Sequence, residues 1–208
     1  MRILIADDHA IVRKGLIGML KTEFPGAEIH EIGNGADVIK KAQDGVWDII
    51  ILDISMPGRS GIEALKQIRA NGIMAPLLML SMQPEDQYAI RVLKAGASGF
   101  LNKECAPEEL IEAVLKVLSG KKYISPAVTE KLAVSLTDSS RRMGYELLSD
   151  REMQVLELIA SGKTLSDVAH EISLSVNTIS TYRSRILDKL GLQNNAELTR
   201  YALNNGLV

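Results

Sequence analysis

Five short apolar runs separated by helical patterns constrain the first 120 residues more than any other feature of this chain. The runs are Arg2 to Ala6, Ile29 to Ile32, Asp48 to Leu52, Leu77 to Leu80 and Ser98 to Leu101. Between them apolar residues return at three- and four-residue steps, as in Ile11, Leu16, Met19 and Leu20 and again in Ala64, Leu65 and Ile68, the spacing of a buried helix face. A last helix is expected from Pro107, whose missing N–H costs nothing in a first turn, with Leu110, Ile111, Val114, Leu115 and Leu118 as its inward stripe. Strands alternating with helices at this spacing are parallel, because parallel neighbours need a crossover long enough to hold a helix. Residues 1–120 are therefore expected to form an α/β unit, a doubly wound five-stranded parallel sheet covered on both faces.

Past Gly120 the pattern stops. Residues 121–146 read as a linker: Ser125-Pro126 is a candidate start for a short helix through Leu136, and Thr137 to Gly144, with its polar cluster and the Arg141-Arg142 pair, reads as flexible. Residues 147–208 carry no strand signal and four helix starts. Ser149 precedes Glu152, Thr164 precedes Asp167 and Asn194 precedes Glu197 by three, the spacing of a capping box, and Ser175 is placed to cap the third helix. Gly162, Gly191 and Gly206 are the matching stops. The expectation is an all-α four-helix unit, small but large enough to fold.

Composition excludes several classes. With 46% hydrophobic and 24% charged residues the 208-residue chain has the material for packed cores and is not globally disordered. Its apolar runs Ile49 to Leu52 and Leu77 to Leu80 fall far short of the roughly 20 residues of a membrane span. Asp7 and Asp8 interrupt the amino terminus before a signal-peptide apolar region can form. The single cysteine, Cys105, permits no internal disulfide and reads as a small structural residue. A cytoplasmic protein with no membrane partner is expected.

Placing polar residues against strand ends gives the sharpest functional signal. Asp7 and Asp8 follow the first run, Asp53 the third, Ser81 the fourth and Lys103 the fifth, all at the carboxyl edge, where a doubly wound sheet holds its ligands. Any one of these acids alone reads as a turn or cap residue. Together, three carboxylates call for a cation, and hard oxygen donors with few protein ligands favour Mg2+. A carboxylate can also accept a phosphoryl group as a nucleophile, with an ammonium and a hydroxyl neutralising the transferred oxygens. His9 adjoins the acids, but hard Mg2+ sites seldom use histidine, and an exposed position before the first helix is expected for it.

The Asp7-Asp8 pair, Asp53 in Leu-Asp-Ile-Ser-Met-Pro-Gly, Ser81 and Lys103 resemble the flavodoxin-like receiver domain of two-component response regulators. The resemblance implies that Asp53 is the phosphoacceptor, that Asp8, Asp53 and the backbone carbonyl of Ser55 hold Mg2+, and that Asp7 positions the ion through water. It implies contacts from Ser81 and Lys103 to the phosphoryl group, and a turn at Met56-Pro57-Gly58. Phe100 matches the aromatic position that repacks on activation; a plain core aromatic fits it equally well.

The second half reads as a helix-turn-helix, with Thr164 to Ile172 as scaffold and Val176 to Leu190 as recognition helix. Ile179, Ile186, Leu187 and Leu190 form an apolar stripe, leaving Asn177, Thr178, Ser180, Thr181, Arg183, Ser184 and Lys189 as candidate DNA contacts. From Leu148-Ser149-Asp150-Arg151-Glu152 to Lys189-Leu190-Gly191-Leu192 the segment resembles the DNA-binding domain of the NarL/FixJ (LuxR-type) regulators. Departures fall on DNA-facing positions: Leu165-Ser166 where the family often has Asn-Lys, and Ser180 and Tyr182 where it often has Lys-x-His. Residues 147–208 hold six basic and seven acidic residues, so affinity depends on a local patch around Arg183, Arg185 and Lys189. A homodimer on two half-sites is the expected remedy.

The two resemblances together imply a transcriptional response regulator, phosphorylated by a sensor histidine kinase, binding promoter DNA as a dimer and working with RNA polymerase. The receiver could pair through its first and fifth or its fourth and fifth helices. A phosphohydrolase using Asp53 is disfavoured because Ser55 stands where a second acid is wanted, and a regulator switched without phosphate is disfavoured by the intact five-residue set.

Overall fold

The computed structural model describes residues 1–83, 85–125, 128, 129 and 144–208, without the side chains of residues 86 and 87. The chain divides into two compact units, Met1–Ala133 and Val134–Val208.

The first unit is the expected doubly wound sheet. Its strands are β1 (Arg2–Ala6), β2 (Glu28–Ile32), β3 (Ile49–Asp53), β4 (Leu77–Ser81) and β5 (Gly99–Asn102), all parallel, in the order β2-β1-β3-β4-β5. The helices are α1 (Ala10–Glu23), α2 (Gly35–Gln43), α3 (Gly61–Ala70), α4 (Glu85–Lys94) and α5 (Pro107–Leu118). Every residue of β3 and β4 is buried, as parallel strands covered on both faces require. Ile3, Ile5, Ile49, Ile51, Leu78, Leu80 and Leu101 form one core with α1 and α5.

Strand ends differ by a residue from the sequence expectation. Asp53 and Ser81 close β3 and β4, because the ladder continues through Asp53 opposite Leu80 and Ser81 opposite Asn102. At the other ends Asp48 and Ser98 lie outside: the Asp48 carboxylate accepts from Arg2 N–H at 2.6 Å and the Ser98 hydroxyl accepts from Leu77 N–H at 3.1 Å. Two helix faces are also corrected. Ile11 is exposed, since it stands nine residues, or two and a half turns, from the buried Leu20. Leu115 is exposed as well, while Ala113 and Val117 join Leu110 and Val114 inside.

Packing of the first unit continues past α5. Tyr123 bridges in parallel to Gly99, its N–H donates to Ser98 C=O at 2.9 Å, and its hydroxyl donates to Glu109 at 3.0 Å. A side chain at Gly99 would meet Tyr123 at 2.9 Å, so glycine is what lets this segment lie along β5. The Ser125 hydroxyl accepts from Val128 N–H at 3.3 Å, in keeping with a helical start there. The rest of the expected helix through Leu136, the segment Thr137 to Arg142 and Met143 lie outside the described residues.

Among the described residues the second unit holds a 3-10 turn, Gly144–Leu147, followed by α6 (Asp150–Ala160), α7 (Leu165–Glu171), α8 (Val176–Leu190) and α9 (Asn195–Asn204). Ser149 and Thr164 form complete capping boxes, and Ser175 and Asn194 accept from the third N–H of their helices. Gly162, Gly191 and Gly206 have φ of 91°, 66° and 64°, the left-handed conformation expected at helix stops. The turn between α7 and α8 has no glycine; Ser173 takes φ 54° itself. Val155, Leu156, Val168, Ile179, Ile186, Leu198 and Ala202 form the core. Leu190, expected in the α8 stripe, is half-buried.

Candidate functional site

The strand order reverses between β1 and β3: α1 leads from β1 to the edge at β2, and α2 returns to β3 on the far side of β1. Their carboxyl ends splay apart at that point, and the residues leaving them face one crevice. Asp7, Asp8 and Asp53 meet there, with Asp7 0% and Asp53 1% exposed. The Lys103 ammonium, brought in just after β5, lies 2.6 Å from Asp7 Oδ2 and 2.8 Å from Asp53 Oδ2. It sits at ion-pair distance but off hydrogen-bonding direction, so Asp7 Oδ2 and Asp53 Oδ2 are buried oxygens that accept no directed hydrogen bond; Asp8 Oδ1, 2.8 Å from His9 Nδ1, is a third. Asp53 Oδ1 accepts from Ser55 N–H at 3.2 Å.

Two acids share one ammonium and a third stands beside them, which leaves the pocket short of positive charge. Burial pushes the Asp53 carboxyl up to about 6; Asp7 adds to the rise, and Lys103 and the Ser55 N–H pull against it. Burial pulls the Lys103 ammonium down, but Asp53 and Asp7 outweigh it and hold it above its ordinary value. Buried carboxylate oxygens that accept no directed hydrogen bond are the donors a hard divalent cation takes, so the residues fit Mg2+.

The remaining expected residues surround this core. Ser81 is buried at the end of β4, and its hydroxyl accepts from Gln83 N–H at 2.9 Å while its carbonyl accepts from Lys103 N–H at 2.9 Å. Gly58 has φ 74°, and the chain bends over Pro57 and Gly58, where a turn after Asp53 is expected. Phe100 lies on β5 opposite Met79, buried at 1% exposure.

Three positions were not singled out as site residues. A Cβ on Gly61 would stand 1.9 Å from the Asp53 carbonyl oxygen, so glycine alone lets α3 begin against the strand that carries Asp53. Arg13 on α1 donates to the Asp7 carbonyl at 2.7 Å and pairs with Glu31 at 3.0 Å, pinning the end of β1. His9, set aside on sequence grounds, does not stand apart: ligand atoms of Asp7, Asp8, His9 and Asp53 all lie within 4.8 Å of one another.

In the second unit Asn177, Thr178, Thr181, Tyr182 and Arg185 of α8 line one open concavity of about 310 Å³. Ser180 and Ser184 are exposed on the same helix. Two of the expected cations are engaged inside the unit: Lys189 donates to Glu152 Oε2 at 2.7 Å and to Leu147 C=O at 3.3 Å, and Arg183 donates to Asn195 Oδ1. Arg185, expected in the basic patch, and Tyr182, expected at a DNA-facing position, join the candidate contacts in this concavity, at helical spacing from Thr181 and Thr178.

A sheet whose switch point gathers aspartates around a lysine, on one chain with a capped helix-turn-helix unit, defines the class of two-domain signal-responsive DNA-binding regulators. Residues 3–115 match the response regulator receiver domain, and residues 146–202 match the bacterial regulatory proteins of the luxR family. The chain is 31% identical over 208 residues to the response regulator UvrY of Escherichia coli K12, covering 100% of this chain and 95% of that one. It is 31% identical over 210 residues to the response regulator GacA of Pseudomonas viridiflava, covering 100% and 98%. A solved structure of RcsB from Salmonella enterica serovar Typhimurium, bound to promoter rprA in the presence of the phosphomimetic BeF3-, matches with a TM-score of 0.66 at 27% identity, over 97% of this chain and 98% of that one. This chain belongs to the LuxR-type family of two-component response regulators, and it is a DNA-binding transcriptional regulator. Among the described residues no helix is long and apolar enough to cross a membrane.

Proposed function

We propose that Asp53 takes a phosphoryl group from the phosphohistidine of a sensor histidine kinase, and that the change is read out as promoter binding by a homodimer in the cytoplasm. The observation that supports this most is the Asp53 carboxylate, buried beside Lys103 with an oxygen that accepts no directed hydrogen bond. In the transfer an Asp53 oxygen forms the new bond to phosphorus as the phosphorus–nitrogen bond to the donor imidazole breaks. Lys103 and Ser81 stand at the ends of β5 and β4 to meet the phosphoryl oxygens. Asp8, Asp53 and the Ser55 carbonyl would hold Mg2+, with Asp7 behind them; the bound ion would draw negative charge off the transferring group. Phe100 would repack as the pocket changes charge. The division we assign is receiver 1–120, linker 121–146 and DNA-binding domain 147–208, with Tyr123 tying the start of the linker to β5. The protein works as a switch, without turnover of outside substrates.

Incubation of the full chain with acetyl phosphate and Mg2+, followed by peptide mass spectrometry, is expected to place one phosphoryl group on Asp53. An unmodified chain, or the same mass gain in Asp53→Ala, overturns the assignment.

For the DNA face we assign Asn177, Thr178, Ser180, Thr181 and Ser184, together with Tyr182 and Arg185, to the groove and its phosphates. Arg183 and Lys189 reach phosphate only by leaving the partners they hold, so Arg185 carries the largest share. Arg185→Ala should weaken binding across all sequences and reduce the slope of log K against log salt by about 1. An unchanged slope removes Arg185 from the phosphate contacts.

A further inference from the structure

The acid pocket has two sides. Lys103 occupies the side of Asp7 Oδ2 and Asp53 Oδ2. On the Oδ1 side stands His9, the residue before α1, with Nδ1 2.8 Å from Asp8 Oδ1 and 3.5 Å from Asp7 Oδ1. Its backbone N–H donates to Asp7 Oδ1 at 2.8 Å, which fixes the main chain at the pocket rim. Although the side chain is 64% exposed, its Nδ1 is directed at the carboxylates.

These distances suit ligation of a single ion. Two donors bound at about 2.1 Å and at right angles stand about 3.0 Å apart. The 2.8 Å separation of His9 Nδ1 from Asp8 Oδ1 is close to that edge, and one ligand atom from each of Asp7, Asp8, His9 and Asp53 falls within 4.8 Å of the others. Asp8 Oδ1 is itself buried and accepts no directed hydrogen bond, so it has lone-pair capacity to share with a cation that the imidazole also binds.

Resting on the reading of this pocket as a divalent-cation site, we infer that His9 adds an imidazole ligand to it and tilts its selectivity from Mg2+ toward borderline transition cations such as Mn2+, Co2+ and Ni2+. The cause is ligand softness. Mg2+ takes oxygen donors and gains little from imidazole, whereas affinity of a mixed nitrogen and oxygen site rises from Mn2+ through Co2+ to Ni2+. If His9 merely hydrogen-bonds Asp8, the pocket keeps the selectivity of its oxygens alone.

The test uses the full chain loaded with Mn2+ and read by pulsed electron paramagnetic resonance, with competition by Ni2+ and Mg2+. Nitrogen modulation is expected in the unaltered protein, altered when its histidines carry nitrogen-15, and absent in His9→Ala. That variant removes no helix cap, because the His9 side chain makes no capping hydrogen bond to α1. Ni2+ affinity should fall in His9→Ala by at least the about tenfold that loss of an outer partner costs a metal site, with Mg2+ affinity changing less than about twofold. Mn2+ bound without nitrogen modulation, modulation that survives in His9→Ala, or an unchanged ratio of Ni2+ to Mg2+ affinity overturns the role of His9 and leaves the oxygen pocket standing. Failure of the unaltered chain to bind Mn2+ at all overturns both.

Discussion

Asp53 and Glu152 are both almost wholly buried, at 1% and 3% exposure, and each faces a lysine ammonium, at 2.8 Å from Lys103 and 2.7 Å from Lys189. Their ionisation moves in opposite directions. Burial pushes Asp53 up to about 6, and Lys103, shared with Asp7, does not bring it back. Burial pushes Glu152 up as well, but Lys189 and the Ser149 cap outweigh it, and the net shift is downward. The difference lies in partners. Glu152 accepts from Ser149 N–H at 2.7 Å and has Lys189 to itself, so one acid meets one cation and a helix cap. The Asp53 pocket makes two carboxylates share one ammonium, sets Asp8 beside them, and leaves three oxygens without a directed hydrogen bond. One acid completes a fold; the other is held short of positive charge, the condition in which a cation or a change of charge has most to act on.

The largest effect should come from removing the pocket's counter-charge. Lys103→Met leaves Asp7 and Asp53 buried without a cation, a change that costs about 3 kcal/mol in comparable settings. Trp47 is the chain's only tryptophan and is buried in the first unit, so its fluorescence follows that unit during urea unfolding in a divalent-free buffer. A midpoint equal to that of the unaltered chain would mean that Lys103 does not neutralise the pocket.

Next comes the satisfied acid. Glu152→Ala removes the return bond of the capping box and leaves Lys189 with the Leu147 carbonyl; Lys189 is 40% exposed, so the ion pair itself contributes modestly. A loss of about 2 kcal/mol is expected, confined to the second unit. Amide exchange in α6 should speed up while the Trp47 transition stays in place. Equal loss in both units would break the comparison.

How far each of these sites was legible in the sequence follows from the range of the interactions. The strands, the α7–turn–α8 pair and the caps at Ser149, Thr164, Ser175 and Asn194 rest on neighbours within four residues, and periodicity and cap chemistry expose those directly. The convergence of Asp7, Asp8, Asp53, Ser81 and Lys103 was legible for a second reason: parallel strands put every carboxyl end on one edge. The face of α5 was read imperfectly because Leu115 is apolar yet exposed, and composition does not say which apolar residue turns outward. Lys189 with Glu152, Arg183 with Asn195 and Arg13 with the Asp7 carbonyl join residues on different elements. No local pattern marks such pairs, since either side chain is equally at home in solvent. Gly61 was hidden for the opposite reason: its role is to have no side chain where the Asp53 carbonyl approaches.

A smaller effect of opposite sign is expected at Asp53. Because the pocket disfavours the Asp53 anion, Asp53→Asn should stabilise the first unit in divalent-free buffer at pH 7. The rise from 3.8 to about 6 sets a ceiling of about 3 kcal/mol. The amide also forfeits the attraction of Lys103, so about 1 kcal/mol is expected. A lower Trp47 midpoint in Asp53→Asn would show that the anion is satisfied after all.

The smallest effect separates the two acids by pH. Between its ordinary 3.8 and about 6, native Asp53 holds its proton more tightly than the unfolded chain does, so its contribution to stability falls as pH rises through that window and is level above it. Glu152, lowered from 4.5, behaves in the opposite sense: its contribution is present above 4.5 and is lost as pH falls through its folded value. Moving from pH 7 to pH 5 should therefore shrink the advantage of Asp53→Asn by up to about 1 kcal/mol, because the unaltered Asp53 becomes protonated and no longer differs from the amide in charge. Over the same interval the cost of Glu152→Ala should stay constant, since Glu152 is ionised at both ends. Paired unfolding curves of the two variants and the unaltered chain at pH 7 and 5 measure both quantities. A constant Asp53→Asn advantage would place the origin of the strain in packing around β3, and a shrinking Glu152→Ala cost would mean that Lys189 and the Ser149 cap fail to hold that acid ionised.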